Sequence, residues 1–321
     1  MNNVKVSVLI PVYNVERYIE KCVRTLFQQT MEEGIEFIFT DDCSPDNSLA
    51  ILNKLLEEFP ERREQVKIIH HPHNKGLAAA RKTGFLNARG EYIIHCDSDD
   101  YVEPEMYELL YREAEKTDAD IVGCDYFLED DETTLHITQP FDLTPLGQLK
   151  SLVTVKGHRS GKKLDMMVWH RLFRRAFYSS FALELPDVNR DEDIALSIKA
   201  HSIARRIGYV AVPLYHYNIS NPGSIMAGGA ERFASDRLKV AEYIYDVLKN
   251  HKIYPEIEGE LCKRLAVARI LYRNRVLFNP EKWRRLYSNL PFEKYLPLKS
   301  RFFLFLVRRK HDFILKLLSS K

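Results

Sequence analysis

The sequence predicts an α/β fold, a Rossmann-like and mostly parallel sheet flanked by helices, with a helical C-terminal extension. In the first 125 residues, short apolar runs alternate with helical patterns that carry one apolar stripe. The short runs are apolar almost throughout, which is typical of parallel strands covered on both faces. Beyond Gly229, every pattern is helical.

The elements follow one another closely along the first part of the chain. Strands are predicted at 4–10, 36–40, 66–70, 91–96 and 119–124, and helices at 16–29, 46–59, 76–88 and 104–116. In the first helix, Ile19, Val23, Leu26 and Phe27 share one face, as in an amphipathic helix. Pro104 fits the start of the last helix, because proline lacks the N–H that a first turn leaves unpaired.

The pattern weakens after this alternating region. We expect excursion loops with one helix near 145–155, then a helix at 191–204 and a strand at 207–217. Further helices are predicted at about 230–250 and 256–278, and from residue 299 onward. This division predicts one domain over 1–225, with halves at about 1–125 and 126–225, and a helical, basic region over 226–321.

Composition predicts an ordinary globular protein of a reducing compartment. Hydrophobic residues make up 45% and charged residues 29% of 321 residues, enough for a sizeable core. Five scattered cysteines without metal-type spacing indicate reduced thiols. The N-terminus does not resemble a signal peptide, and no apolar run is long enough to span a membrane. We therefore expect a cytoplasmic protein.

The charges are unevenly distributed. From Lys263 to Lys321 there are 16 Lys and Arg against three acids, although the net charge of the whole chain is only +2. A basic end on an otherwise acidic chain favours an anionic partner.

The segment 299–321 alternates aromatic and basic residues, which predicts an amphipathic helix on the inner, anionic surface of the cell membrane. The alternative is a helix that docks on protein. Without a recognisable motif, nucleic acid is not an expected partner.

Polar clusters follow four of the predicted strands. They lie at 11–14, 41–48, 71–76 and 96–100. Because the carboxyl ends of parallel strands meet at one edge of a sheet, where such folds bind ligands, we expect these clusters to form one polar rim.

The cluster "CDSDD" (96–100) crowds three carboxylates at the end of a buried strand. Asp97 and Asp99 cannot both stay charged and close together in a partly buried site unless a cation neutralises them. Hard oxygen ligands suit Mg²⁺ or Mn²⁺, which complete their coordination with substrate phosphates and water. The alternative is an acidic turn in which Asp100 caps the following helix.

Two other clusters suggest contacts with a nucleotide. Asp42, at a strand end, is placed to accept the imide N–H of uracil, whereas Asp46 or Asn47 suits the N-cap of the next helix. Lys75 and Arg81 lie near the rim where a diphosphate needs cations. Arg81 could equally be a structural partner of one of the acids.

Six blocks in this order and spacing resemble family 2 glycosyltransferases, inverting enzymes with the GT-A fold. They are "SVLIPVYN", "DDCS", "NKGLAAAR", "GEYIIHCDSDD", "RDEDIAL" and "PLYHYNISNPGSI", and together they cover roughly residues 4–225. The resemblance implies a catalytic domain with a nucleotide-sugar half and an acceptor half. It also implies a nucleotide pocket, with Asp42 on the uracil edge, lined by Pro11, Val12, Tyr13 and Asn14.

The resemblance also implies the chemistry of the acids. Asp97, with Ser98 beside it, would contact the ribose or the metal, and Asp99 would be the principal metal ligand of the D-x-D motif. The acidic pair of such enzymes corresponds to Glu192 and Asp193. Asp193 is the expected general base, with Asp191 as the alternative.

The sequence departs from the family pattern at one position and offers one additional candidate residue. The block usually written W-x-K is Trp169-His170-Arg171 here, so an arginine replaces the lysine. His216 is a further candidate metal or phosphate contact, although a histidine at a strand end is also commonly a packed residue.

The predicted function is the metal-assisted transfer of a hexose. The donor is a nucleotide-diphosphate sugar, with UDP as the expected nucleotide. The acceptor is a hydroxyl of a glycan or lipid-linked molecule in surface polysaccharide or glycolipid synthesis. A nucleotidyltransferase would have a glycine-rich, basic loop after the first strand, which "PVYNVERY" lacks. The remaining alternative is a non-catalytic protein that binds sugar nucleotides or membranes and keeps the fold.

Overall fold

We describe the protein from a computed structural model, over residues 4–138, 144–153, 166–221, 233–273 and Arg301. The chain divides into two compact units, Met1–Gly223 and Ser224–Lys321. The predicted helix from residue 299 lies outside the described residues, apart from Arg301.

The first part of unit 1 alternates strands and helices as predicted. Its strands are β1 (Val6–Val12), β2 (Ile35–Asp41), β3 (Val66–His70), β4 (Tyr92–His95), β5 (Tyr101–Val102) and β6 (Ile121–Glu129). Its helices are α1 (Ile19–Phe27), α2 (Ser48–Glu58), α3 (Leu77–Leu86) and α4 (Met106–Thr117). Helix α4 begins two residues after Pro104, within the usual uncertainty of a helix end.

The second part of unit 1 contains more regular structure than the sequence patterns predict. It comprises β7 (Thr134–Ile137), α5 (Pro145–Val153), β8 (Arg171–Arg174), α6 (Arg175–Ser179), α7 (Glu192–Ile203) and β9 (Ile207–Asn218). Residues 127–129 and 134–137, where loops were expected, instead form the end of β6 and strand β7, which pair as a hairpin. The helix expected near 145–155 is α5. Unit 2 contains two described helices, α8 (Ala234–Leu248) and α9 (Tyr254–Arg273).

Across the described residues, nine strands form one sheet in the order β3-β2-β1-β4-β8-β6-β9-β5, with β7 on β6. The pairs β3–β2, β2–β1, β1–β4 and β6–β9 are parallel. Strand β8 lies antiparallel between β4 and β6, and it joins the two parallel groups. The predicted α/β fold class is confirmed.

The register brings the strand ends together. Val12 pairs with Asp41 and Asp41 with His70, while Leu9 pairs with His95 on the other side of β1. The chain therefore leaves β1, β2, β3 and β4 at the same edge of the sheet. This edge carries the polar clusters, and we call it the rim.

Burial explains why β1, β2 and β4 are apolar at most positions. Every residue of β1, β2 and β4 is buried. Helix α1 covers the sheet with Ile19, Cys22, Val23, Leu26 and Phe27, the face predicted from its periodicity. A second cluster of buried residues, which includes Phe173, Tyr178 and Leu196, forms another part of the core. Within the described ranges, no helix is both long and apolar enough to cross a membrane.

Candidate active site

The end of β1 forms the first part of the rim. Pro11 and Val12 are buried, whereas Tyr13 is 46% exposed and Asn14 is exposed. Asn14 has a φ of 56°, a left-handed conformation that asparagine adopts more readily than most other non-glycine residues. The Pro11 carbonyl accepts a 2.7 Å hydrogen bond from the Ser98 hydroxyl, so the ends of β1 and β4 are tied together. Pro11, Tyr13, Asn14 and Ser98 thus lie on one part of the rim.

Asp42, directly after β2, is buried and organises the loop that follows β3. Its Oδ1 accepts the Lys75 N–H and its Oδ2 accepts the Gly76 N–H, both at 2.8 Å. Oδ1 also lies 2.7 Å from Nδ1 of the buried His71. The carboxylate therefore fixes the turn that carries the exposed Lys75 side chain.

Asp46 is the helix-capping acid of the loop between β2 and α2. Its carboxylate accepts the backbone N–H of Ser48, the first residue of α2, at 3.1 Å and the N–H of Glu16 at 2.8 Å. Asn47 precedes α2 without a side-chain capping bond. Of the two predicted capping residues, Asp46 therefore makes the side-chain bond.

Gly76 allows the turn after β3 to pack against the segment that precedes α7. It has a φ of 89°, and a Cβ built on it would collide with Oδ1 of Asn189. Only glycine combines this φ with such a close approach. The loop after β3 is thus packed against residues that immediately precede the predicted catalytic acids.

The turn 97–100 follows β4. It is closed by the Asp100 N–H, which donates to the Asp97 carbonyl at 3.1 Å. Burial, followed by the charge of Asp97, raises the pKa of Asp99. Burial and the charges of Asp99 and Asp97 raise the pKa of Asp100 well above its usual range. The acids therefore repel one another, as the sequence predicts.

Asp100 has a different role from the predicted helix cap. Its Oδ2 accepts the Tyr215 hydroxyl at 2.6 Å, and its Oδ1 accepts the Asn218 N–H at 2.9 Å. Asp100 is only 2% exposed, so these contacts direct it toward β9 and the interior. Asp97 and Asp99 are more exposed than Asp100.

Arg81 bridges the turn 97–100 and helix α7. Its Nη2 donates to Asp97 Oδ1 at 2.7 Å, and its Nη1 pairs with Glu192 Oε1. Burial alone would lower the pKa of Arg81, but the charges of Asp97 and Glu192 raise it. In this structure Arg81 is a partner of the acids, the second of its two predicted roles.

Three acids lie at the start of α7. Asp191 occupies the N-cap position with a φ of 63°, and its Oδ1 lies 3.8 Å from Arg190 Nε. Burial raises the pKa of Glu192, and the charge of Arg81 opposes this shift. Burial, followed by the charge of Glu192, raises the pKa of Asp193 to about 8. A carboxyl group with a pKa near neutral can take up and release a proton at physiological pH, as a general base must.

His216 on β9 lies in a separate ionic cluster. Its Nδ1 is 2.8 Å from Glu129 Oε1 and its Nε2 is 2.8 Å from Glu103 Oε1. The ring stacks between Tyr101 and Phe127. Both nitrogens therefore face carboxylates other than Asp97 and Asp99, and a metal bond would require His216 to release one of them.

The acids of the turn 97–100 provide a suitable donor set for a hard cation. Asp97 and Asp99 supply carboxylate oxygens, the ligands that Mg²⁺ and Mn²⁺ prefer. Among the residues that the structure describes, no group of three or more His, Cys, Asp or Glu forms a complete metal cage. Such a pair fits a cation that shares its coordination with substrate phosphates, as Mg²⁺ commonly does.

Sequence patterns did not identify Tyr215, Asn218 and Asn221 as site residues. Asn221 Nδ2 donates to Asp99 Oδ2 at 2.8 Å, and Asn218 Nδ2 donates to the Asp99 carbonyl at 3.3 Å. All three lie in the block "PLYHYNISNPGSI", so the resemblance marked the segment but not these contacts.

The fold and this rim of acids define a GT-A glycosyltransferase. The family model described as "Glycosyl transferase family 2" matches residues 7–178, slightly more than half of the chain. A relative from Bacillus subtilis, "Putative glycosyltransferase EpsH", is 32% identical over 297 residues and covers 92% of this chain and 82% of its own length. The chain therefore belongs to glycosyltransferase family 2, and it is a glycosyltransferase.

Solved structures support the fold. Residues 1–349 of TarS from S. aureus in complex with UDP-GlcNAc align with a TM-score of 0.68 at 19% identity, over 98% of this chain and 90% of that one. A mannosyltransferase from Pyrobaculum calidifontis, in complex with GDP-Man and Mn²⁺, aligns with a TM-score of 0.55 at 15% identity. The alignment covers 99% of this chain and 88% of that one. The predicted GT-A fold is confirmed.

Proposed function

We propose that this glycosyltransferase moves a hexose from a UDP-sugar to a hydroxyl group of a glycan or lipid-linked acceptor, with inversion at the anomeric carbon. The observation that carries the proposal is the bridge from Asp97 through Arg81 to Glu192. It holds the D-x-D acids and the acids of α7 on the same rim. A donor bound at the first set would therefore lie next to a base from the second.

The nucleotide would bind where β1, β2 and β3 end. Tyr13 offers an exposed aromatic face at the rim, and Asp42 Oδ2 has a second lone pair for the imide N–H of uracil. Ser98, Pro11, Val12 and Asn14 would complete the wall of the pocket. The complexes of TarS with UDP and UDP-GlcNAc support UDP as the nucleotide.

Asp97 and Asp99 would hold Mn²⁺ or Mg²⁺. When bound there, a divalent cation would neutralise negative charge on the leaving diphosphate. The Mn²⁺ complex of the mannosyltransferase supports this proposal. Both ring nitrogens of His216 lie against glutamates, so we propose Asp97 and Asp99, and not His216, as the protein ligands.

Asp193 would act as the base. The acceptor hydroxyl gives its proton to the Asp193 carboxylate while its oxygen bonds to the anomeric carbon, and the bond from that carbon to the diphosphate oxygen breaks. Attack from the face opposite the leaving group inverts the centre. Glu192 is already paired with Arg81, so its role would be to orient this end of α7. The exposed Lys75 supplies positive charge at the rim near the leaving diphosphate.

A donor screen tests this function. Full-length protein would be mixed with Mn²⁺ or Mg²⁺ and a panel of UDP-, GDP- and CDP-sugars, with thermal unfolding and release of the nucleoside diphosphate as readouts. A ligand at 100 times its Kd stabilises the folded state by about 2.7 kcal/mol, so a true donor should raise the Tm measurably. We expect one UDP-sugar to do so. A screen in which no nucleotide sugar changes either readout would contradict the proposal.

We propose that the basic C-terminal region binds an anionic membrane surface and brings the enzyme to its acceptor. The support is that 16 Lys and Arg stand against only three acids between Lys263 and Lys321, because each basic residue near an anionic surface contributes about 1 kcal/mol. Residues 302–321 lie outside the described part of the chain. Fractionation of cells that express the protein with and without 299–321 tests this, and equal partitioning of both forms would exclude it.

A further inference from the structure

The Tyr215 hydroxyl contacts both ends of the turn 97–100. It accepts a hydrogen bond from the Asp97 N–H at 3.1 Å and donates one to Asp100 Oδ2 at 2.6 Å. Since Asp97 and Asp100 are the first and last residues of the turn, one oxygen atom fixes its two ends relative to β9. The residues between these ends include Asp99.

The position of this hydroxyl is itself fixed. Tyr215 is fully buried, and its ring stacks on Trp169 at 4.2 Å between centroids and 15° between planes. On the same strand, the Asn218 N–H holds the other Asp100 oxygen at 2.9 Å. Tyr215 and Asn218 thus attach the turn to β9 through hydrogen bonds on both oxygens of Asp100.

We infer that Tyr215 is a positioning residue for cation and donor binding: its hydroxyl holds the turn 97–100 so that Asp97 and Asp99 stay at the rim while Asp100 points inward. This inference rests on the proposed function, because it assigns Asp97 and Asp99 as cation ligands. Tyr215 itself is buried, so its effect on binding would pass through the residues of the turn.

The consequence of losing the hydroxyl is specific. In Tyr215→Phe the ring can still stack on Trp169, so the core keeps its volume. The Asp97 N–H and one Asp100 oxygen lose their shared partner, and the turn gains freedom. Changes to groups that orient metal ligands typically weaken metal binding by about 10- to 100-fold.

Tyr92→Phe is a matched control. Tyr92 is a buried tyrosine at the start of β4, the strand that leads into the turn, and its hydroxyl donates to the Ala119 carbonyl at 3.4 Å. This substitution also removes one buried hydroxyl, but at the opposite end of the strand. Any general cost of losing a tyrosine hydroxyl should appear in both variants.

The experiment is calorimetric titration of Mn²⁺ into full-length wild type, Tyr215→Phe and Tyr92→Phe, each in the presence of UDP, together with thermal unfolding. We expect Tyr215→Phe to bind Mn²⁺ at least about tenfold more weakly and to keep a cooperative unfolding transition. Tyr92→Phe should bind Mn²⁺ as the wild type does. In kinetic assays at saturating Mn²⁺, Tyr215→Phe should raise the KM for the donor more than it lowers kcat.

Two results would overturn the inference. The first is wild-type Mn²⁺ affinity in Tyr215→Phe. The second is loss of cooperative unfolding in Tyr215→Phe alone, which would make the hydroxyl a determinant of the fold and not of the site. If the wild type itself took up no Mn²⁺ with UDP, the proposed metal site would fail as well, so the failures of the two proposals are distinguishable.

Discussion

Arg81 donates a 2.7 Å hydrogen bond to Asp97 from within the protein, where only 9% of the arginine side chain is exposed. The same guanidinium pairs with Glu192, which lies on α7 more than 100 residues further along the chain. One buried cation thus joins an acid of the D-x-D turn to the neighbour of the proposed base. This charge holds the turn 97–100 and the start of α7 together.

Replacing Arg81 with Gln should destabilise the protein in the absence of ligand. Breaking a buried ion pair leaves its partner charges uncompensated, which typically costs about 3–5 kcal/mol. Urea unfolding at pH 7 measures this cost. As a control, Arg112→Gln removes an arginine that is 69% exposed and paired with Glu108, and it should cost less than about 1 kcal/mol. Equal losses in the two variants would show that the Arg81 bridge is not important for stability.

Gly76→Ala should disturb the turn after β3. The new Cβ would collide with Asn189, and the φ of 89° is unfavourable for alanine, so a cost of about 1–3 kcal/mol is expected. Gly84→Ala, within helix α3, is the matched control, because the new Cβ would lie 3.5 Å from its nearest neighbours, Leu9 and Thr40, an ordinary van der Waals distance. There alanine should stabilise the helix by up to about 1 kcal/mol. Chemical denaturation compares the two variants, and a Gly76→Ala protein as stable as the wild type would contradict the described contact.

Asp193→Asn should abolish most of the sugar-transfer activity and leave the affinity for the donor unchanged. Loss of a general base lowers kcat by about 10²–10⁴-fold, whereas the affinity for the nucleotide sugar should stay near that of the wild type. Steady-state kinetics and calorimetry separate these quantities. Asp191→Asn, which changes the residue at the N-cap of α7, should lower kcat by less than about tenfold. The reverse ranking would assign the base to Asp191.

The pH profile should follow Asp193. A base accepts a proton only in its ionised form, and burial raises the pKa of Asp193 to about 8. Below that pH, kcat/KM should therefore fall by about tenfold for each unit of pH, since this parameter reports the groups of the free enzyme. A pH series with the wild type tests the slope, and a profile that is flat between pH 6 and 8 would exclude Asp193 as the titrating base.

Local patterns predicted the first half of the fold because its strands and helices are sequential and strongly periodic. The run "EFIFT" and the stripe of α1 needed no information from distant residues. Strand β8, by contrast, is only four residues long and contains two arginines, Arg171 and Arg174, so no apolar run marks it. Its place between β4 and β6 depends on tertiary pairing alone.

In the site, too, local patterns predict some features and not those that depend on distant residues. Rim positions such as Asp42 and Asp97 follow from where parallel strands end. The partners of these residues do not, because the Arg81–Glu192 pair spans 111 positions and the Tyr215–Asp100 bond spans 115. No sequence pattern near Asp100 indicates that it is buried against β9. From the sequence alone, capping of the following helix was therefore a reasonable role for it.

The most direct test of the central claim is calorimetry of UDP binding to wild type and Asp99→Ala, each with Mn²⁺ and again with EDTA. If a divalent cation neutralises Asp97 and Asp99 together with the nucleotide, the wild type should bind UDP tightly only with Mn²⁺, and Asp99→Ala should lose that gain. UDP binding that is the same with Mn²⁺ and with EDTA, or the same in wild type and Asp99→Ala, would contradict the account.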